Sequence, residues 1–335
     1  MSRETVHESF RVLSRFQLLS MTDIQDNFAK QLFGKYATAQ DGEHLVFNGK
    51  SAVNESIVAH SGGSEYLFDL TELQSLEHRP EIGTIDKNPF EKPEPELTVL
   101  SSFGNKDEFR IVLNKFPVVP AHFMMVTKQF KSQDTPLSPS ELSSTYSLLH
   151  KLEAQDLNKK WFAFYNCGPQ SGASQPHKHV QFMPLPDNYT PFAEVLANTS
   201  GHFIPNQFQE PLQDGNLPFA HFLAKLPEKN TELDEETLAL TFLSLLQRTL
   251  TVLRDNEAGH ISYNVIATTK FIMLIPRSKA KFQGSLGINS CGYMGLILCK
   301  NASLVGLVKS EGPLAILSSV GFPSTAGQKS DEYHY

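Results

Sequence analysis

Residues 161–186 read WFAFYNCGPQSGASQPHKHVQFMPLP, and the rest of the chain is best understood outward from them. Alternate side chains of a β-strand share a face, so in His177-Lys178-His179-Val180-Gln181 the histidines and the glutamine point one way, Lys178 and Val180 the other. Just upstream, Gly168 to Ser174 form a small polar loop whose backbone N–H groups can approach an anion. The window holds no Asp or Glu, although the chain has 36 of them and a formal net charge of -7. A negatively charged ligand meets no repulsion there. His-x-His alone reads equally well as two surface histidines on a strand; the acid-free loop beside it turns the reading toward a site.

The 335 residues suffice for one large or two ordinary domains with a substantial core. Hydrophobic residues make up 40% and charged residues 19%, with no apolar run of membrane-spanning length, which reads as a soluble globular protein without a membrane partner. The acidic balance argues against general nucleic-acid binding, so any polyanion site is a local pocket. Cys167, Cys291 and Cys299 are an odd number at spacings that match neither a disulfide framework nor a zinc ribbon, and they point to a reducing cytoplasmic or nuclear setting. Near the start, Arg3, Arg11 and Arg15 alternate with Phe10, Val12, Leu13 and Phe16 in the manner of a transit peptide. Glu4 and Glu8 favour an ordinary surface helix instead.

Residues 1–55 read as a helix-rich opening, with Phe28, Leu32 and Phe33 at helical spacing before turns at Asp41-Gly42 and Asn48-Gly49. Tyr66 to Leu76 is a further short periodic segment. Pro80, Pro89, Pro93 and Pro95 then mark an extended strap that carries Arg79 and Lys87. Apolar runs of strand length follow at 97–100, 109–113 and 123–126, the last two joined by a long proline-stiffened turn that opens with Asn114 and Lys115. Ser138-Pro139-Ser140-Glu141 starts a helix that packs on the sheet. After the opening stretch come a helix at 192–197, an irregular region to Phe222, and the longest helical pattern, 232–256.

The order then repeats. Residues 260–268 and 271–276 read as two strands, Tyr263-Asn264 echoes Tyr165-Asn166, and Leu274-Ile275-Pro276 echoes Met183-Pro184-Leu185-Pro186. This is a degenerate duplication of helix, strand, loop and strand whose second copy lacks the Gly/Ser loop and the histidines, so one active site per chain is expected. The tail 287–300 reads as a small-residue loop, with Asn289 and Ser290, running into an apolar segment that ends at Lys300.

Two imidazoles and an amide beside an anion-cradling loop suit attack on phosphorus. Neutral imidazole is nucleophilic near pH 7, and a phosphoramidate formed on it passes its group onward. The loop amides of Gly172 to Gln175, Ser174 and Gln181 can hold the non-bridging oxygens without adding negative charge. On this argument either histidine serves as nucleophile. His-x-His on a strand can also clamp zinc, but no third and fourth ligand lies near in sequence, so no structural zinc is expected.

The run Asn166-Cys167-Gly168-Pro169-x-Ser171-Gly172-Ala173-Ser174-Gln175-x-His177-Lys178-His179-Val180-Gln181 resembles the active-site signature of the fungal diadenosine tetraphosphate phosphorylases (ATP adenylyltransferases). These belong to the histidine-triad (HIT) superfamily, in the branch of galactose-1-phosphate uridylyltransferase. The likeness extends to 92–99, 113–117, 211–214, Asn289-Ser290 and 321–329, and covers roughly residues 75–335. It implies an α+β fold with a mostly antiparallel sheet flanked by helices and two HIT-like halves, the second degenerate. The expected division is a variable helical segment (1–55), a catalytic half (56–200) and a half that completes the nucleotide pocket (201–335).

It also implies roles. His179 is the nucleophile that takes AMP from a dinucleoside polyphosphate with release of ATP, inorganic phosphate then carrying the AMP away as ADP; the role of His177 is open. Asn114, Lys115, Asn166, Gly172, Ala173, Ser174, Gln175 and Gln181 fall where the family binds nucleotide and phosphates. Asn289, Ser290, Cys291 and Lys300 match a C-terminal contact group in which Leu296 replaces a methionine, and Arg79 stands where a lysine is usual. A divalent cation, Mg or Mn, is expected to accompany the polyphosphate. Pro176 departs from the acidic residue common before the histidine pair, which puts the dinucleotide preference in doubt. Uridylyl transfer to a sugar phosphate is the rival chemistry, and a binding module without turnover the rival class. The duplication favours a monomer.

Overall fold

The structure, a computed structural model, describes residues 27–46, 52–74, 76, 88–156, 158–199, 210–227 and 233–328. Strand β6 (Trp161–Cys167) is its centre and is buried along its whole length. It lies in an antiparallel eight-stranded sheet of order β3-β4-β5-β7-β6-β9-β10-β8. The other strands are β3 (Thr98–Phe103), β4 (Phe109–Leu113), β5 (Phe123–Thr127), β7 (His179–Pro184), β8 (Phe222–Lys225), β9 (Tyr263–Ala267) and β10 (Phe271–Pro276).

Period-two alternation divides the core between the faces of this sheet. Trp161, Ala163, Tyr165, Val180 and Phe182 face helices α1 (Phe28–Asp41), α2 (Pro139–Gln155) and α4 (Glu235–Asp255). Phe162, Phe164, Met183, Ile266, Met273 and Ile275 face the opposite way, onto a second core. That core is closed by the hairpin β1 (Val53–Ser61) and β2 (Ser64–Glu72), by α3 (Phe192–Asn198), by α5 (Ser290–Tyr293) and β13 (Leu296–Cys299), and by α6 (Ala302–Glu311) and α7 (Pro313–Val320). Strands β11 (Lys281–Phe282) and β12 (Leu286–Gly287) make a small separate ladder. Helix α2 begins as its sequence dictates: Ser138 and Glu141 form a reciprocal capping box with proline in the first turn.

The duplication is visible in the register. Each half contributes a helix, then a hairpin, and the hairpins meet back to back, Asn166 opposite Asn264 and Tyr165 opposite Val265. The halves share one sheet, and β13 runs parallel to β2, so the last strand among the described residues completes a ladder begun near residue 53. The boundary expected at 55/56 falls inside β1.

Some elements differ from the reading of the sequence. Most of the segment at 66–76 is β2, the middle strand of a three-stranded sheet of order β1-β2-β13, joined to the edge strand β1 by a turn at Gly62 and Gly63 with φ of 56° and 85°; β1 presents only partly buried and exposed side chains, so no apolar pattern announces it. Helices α6 and α7 and the short strand β8 answer to no expectation from the sequence. The helix expected near residues 3–16, the Asn48-Gly49 turn, and Arg79 and Lys87 lie outside the described residues. Among the described residues no helix is long and apolar enough to cross a membrane.

Candidate active site

The loop after β6 takes its shape from two glycines. Gly168 has φ +84°, and a Cβ there would fall 2.1 Å from the Ile261 carbonyl oxygen; Gly172 has φ +81°, and its Cβ would fall 2.7 Å from the Ile288 oxygen. Any L-residue is therefore excluded by both backbone and space. Ser171 closes the turn, its Oγ donating to the Gly168 carbonyl at 2.6 Å. The second half clasps the loop, with Gln170 N–H donating to Ser262 Oγ and Ala280 N–H to Gln170 Oε1. Residues 172–175 are left half-buried between two cavities.

One cavity, of about 350 Å3, is walled by Phe90, Leu97, Asn114, Lys115, Phe116, Gln175, His179 and Gln181. The other, of about 360 Å3, is walled by Gly172, Ala173, Lys281, Asn289, Leu296, Lys300 and their neighbours. Ser174 lines both. The two cavities thus lie on either side of the loop, with Ser174 common to both walls.

His179 opens β7. Its Nδ1 lies 2.8 Å from the carbonyl oxygen of His177, which only accepts, so Nδ1 carries the proton and Nε2 of the neutral ring carries the lone pair. His177 is held as the opposite tautomer: Nε2–H donates to the Thr127 carbonyl at 2.8 Å, and Nδ1 accepts from Asn88 Nδ2 at 2.9 Å. Burial drives the His177 pKa down and keeps it neutral. Phe90 covers both rings, 5.1 Å from His179 and 5.8 Å from His177, centroid to centroid. Strand β7 proper begins at His179; His177 belongs to an isolated bridge with Ser132.

The alternation read from the sequence holds on both faces. Val180 packs into the helix-side core, and Lys178 reaches a buried ion pair with Glu141 at 2.8 Å, the carboxylate that caps α2. Gln181 accepts from His122 Nε2 through Oε1 at 3.1 Å, so its amide NH2 is the end turned elsewhere. Asn114 Nδ2 stands beside the same imidazole at 3.3 Å. Lys115 is exposed and paired with Glu94 at 2.5 Å. His122 thus braces Gln181 from behind the cavity wall.

The remaining expected contacts divide. Asn289, Leu296 and Lys300 line the second cavity. Asn166, Ser290 and Cys291 are buried behind the walls: Asn166 Oδ1 accepts from Asn264 Nδ2 (2.8 Å), from Ser290 N–H (3.1 Å) and from Ser290 Oγ–H (2.7 Å), and Cys291 N–H donates to Asn289 Oδ1 (2.9 Å). The side chains of Asn166 and Ser290 and the backbone of Cys291 tie the loops together from within.

Sequence reading missed Asn88, Phe90, His122, Gln133 and Arg277. Gln133, 2% exposed, accepts from His179 N–H at 2.8 Å and donates to the carbonyls of Asn166 (2.9 Å) and His179 (3.4 Å). It lies 33 residues from Asn166 and 46 from His179, and nothing in its local sequence marks it. Among the described residues no group of three or more His, Cys, Asp or Glu is placed to hold a metal.

A histidine at a cleft lined by carboxamides and an acid-free glycine loop, on a sheet built from two related halves, suits a nucleotidyltransferase. Comparison with known proteins makes this specific. Residues 71–198 match the model of the Ap4A phosphorylase N-terminal domain and residues 215–323 that of the ATP adenylyltransferase C-terminal domain. Diadenosine 5',5'''-P1,P4-tetraphosphate phosphorylase 2 of Saccharomyces cerevisiae is 39% identical over 93% of this chain and 100% of its own length. Protein APA1 of the same yeast is 37% identical over 93% and 99%. The crystal structure of yeast Ap4A phosphorylase Apa2 in complex with Ap4A superimposes with a TM-score of 0.79 at 37% identity, covering 90% of this chain and 99% of that one. The chain belongs to the Ap4A phosphorylase (ATP adenylyltransferase) family.

Proposed function

We propose that this protein phosphorolyses diadenosine tetraphosphate: the dinucleotide and inorganic phosphate give ATP and ADP through an adenylyl group held on His179. The carrying observation is the placement of His179 in a cavity that meets a second one of similar size at Ser174. A two-headed ligand fits this shape, one nucleoside in each cavity and the phosphate chain across 172–175. Phe90, Leu97, Phe116 and Met124 offer the first cavity's apolar wall to a base; Lys92 stands at it as a cation, and Lys115 stands there paired with Glu94, which lines the same wall.

Nε2 of His179 attacks the α-phosphorus in the first cavity; the P–N bond forms as the bridging P–O bond breaks, and ATP leaves with that oxygen and its electron pair. A phosphate oxygen then displaces Nε2 and ADP departs. The positive charge that develops on the ring is shared through Nδ1–H with the His177 carbonyl. Asn114 and Gln181, braced by His122, stand as amides at the phosphate, and His177 holds the strand end. A divalent ion such as Mg or Mn would enter with the polyphosphate, whose oxygens suit a hard cation that keeps several waters. We place the reaction in the cytoplasm or nucleus of a cell, with the protein as a monomer.

Radiolabelled diadenosine tetraphosphate, with and without phosphate, tests this. Acid-labile label should appear on the wild type without phosphate and be discharged as ADP when phosphate is added; His179→Ala should carry none. Tight binding without label would make the protein a nucleotide-binding module instead.

A further inference from the structure

Arg277 is 1% exposed and lies at the end of β10, a strand whose sequence suggests only packing. The register gives it a counterpart. Gln181 opposes Phe164 in the first hairpin; in the second, the ladder runs one step past the Tyr263–Pro276 pair, and Arg277 N–H donates to the Ser262 carbonyl at 2.9 Å. With Tyr165-Asn166 laid on Tyr263-Asn264, Ile275 takes the place of His179, and Arg277 that of Gln181. The second copy lost its histidine and kept a polar group two residues on, directed to the same face.

The guanidinium ends entirely on neutral oxygens. Nε donates to Val320 O (3.1 Å), Nη1 to Asn264 Oδ1 (2.5 Å) and Ser171 O (3.3 Å), and Nη2 to Lys279 O (2.7 Å) and Ile288 O (2.9 Å). The Tyr293 ring lies 5.1 Å away. Among the described residues no carboxylate pairs with it. Its donors are satisfied and its charge is not cancelled, which is a costly state for a buried cation unless an anion is to come.

Two of those carbonyls have a direct bearing on the cleft. In a trans peptide the N–H points opposite to the C=O, so peptides 171–172 and 288–289, whose carbonyls face Arg277, direct the N–H groups of Gly172 and Asn289 away from it. Both residues line the second cavity. A charged donor on the carbonyl also polarises the peptide and strengthens its N–H as a donor.

We propose that Arg277 is a positioning residue for the polyphosphate: it aims the amides of Gly172 and Asn289 at the phosphate chain and supplies the buried counter-charge. This rests on the phosphate-binding reading of the cleft and is independent of the adenylyl-His179 step.

The test is an affinity ladder of adenosine, AMP, ADP and ATP, measured by calorimetry on wild type, Arg277→Met and Arg277→Lys, with thermal melts as the check on folding. For Arg277→Met, adenosine should stay within about twofold, while AMP weakens about tenfold and ATP about a hundredfold, as a lost charge acting through a partly shielded interior requires. Arg277→Lys keeps the charge and loses the fork of donors, so it should fall between the two proteins at every phosphorylated ligand. Equal weakening of adenosine and ATP would make Arg277 a fold residue only and overturn the proposal, as would an unchanged ladder. Should Arg277→Met not fold, selective loss of ATP over adenosine in Arg277→Lys supports the proposal and equal loss overturns it. The wild-type ladder separates the two readings: if affinity does not rise with phosphate number there, the phosphate cleft itself is wrongly placed.

Discussion

Replacing Gln133 by leucine should show how the backbone of His179 is held. The β6–β7 ladder ends at Phe164 and Gln181, although each strand keeps its other neighbour beyond that point, β6 pairing with β9 as far as Cys167 and His179 pairing with Val126 of β5. The Gln133 amide fills the gap like a detached peptide unit, accepting from His179 N–H at 2.8 Å and donating to the Asn166 carbonyl at 2.9 Å. The third bond, at 3.4 Å to the His179 carbonyl, contributes little. Leucine fits the volume and leaves a buried N–H and C=O without partners. At about 1–3 kcal/mol for each orphaned group, the loss is about 2–6 kcal/mol of a stability on the order of 5–15 kcal/mol. The histidine also loses its anchor, and a displacement of about 1 Å costs on the order of a hundredfold in rate. Trp161, the single tryptophan, sits on β6 and reports urea unfolding by fluorescence; ADP release reports kcat. Gln133→Glu adds a control, since its carboxylate turns an oxygen toward the Asn166 carbonyl and regains a donor only when protonated, so its deficit should shrink as pH falls. If Gln133→Leu stays within about 0.5 kcal/mol of wild type with kcat unchanged, the bridging role is refuted.

Breaking the buried Lys178–Glu141 pair with Lys178→Met should cost about 3–5 kcal/mol, and adding Glu141→Gln should recover part of it, as read by urea titration; a loss under about 1 kcal/mol would count against the pair as an anchor of the strand. Gly172→Ala meets both a left-handed φ and the Ile288 carbonyl, so AMP affinity should drop at least about tenfold in calorimetry, and an unchanged affinity would show that the loop can shift freely. Burial holds the His177 pKa below its ordinary value of 6.5, so the unfolded chain binds the proton first as pH falls. Stability from this group is therefore complete above about pH 6.5 and lost below it, and His177→Gln should flatten the slope of unfolding free energy between pH 7 and 5; an unaltered slope would assign the acid sensitivity elsewhere.

Much of the fold was legible because its signals are local. Strands β4 and β10 fall where the apolar runs placed them, and α2 starts at the capping box written in Ser138-Pro139-Ser140-Glu141. Alternation in 177–181 separated a ligand face from a core face, and Tyr263-Asn264 pointed to a duplication that the Asn166–Asn264 pairing realises. Elements without a local signal escaped. β1 carries hardly any apolar pattern because it is an exposed edge, and β8 is only four residues long.

The histidine pair, the acid-free glycine loop and the family are legible without a structure, since each is written in consecutive residues whose chemistry does not depend on distant partners. Tertiary structure alone decided what stands behind them. Gln133, His122 and Arg277 act through contacts made 46, 59 and 106 residues away along the chain, to His179, Gln181 and Ser171. No window of sequence holds both ends of such a contact. Burial is what gives each its meaning: a glutamine or arginine in water is an ordinary surface residue, whereas one closed off from solvent must place every donor and answer for its charge.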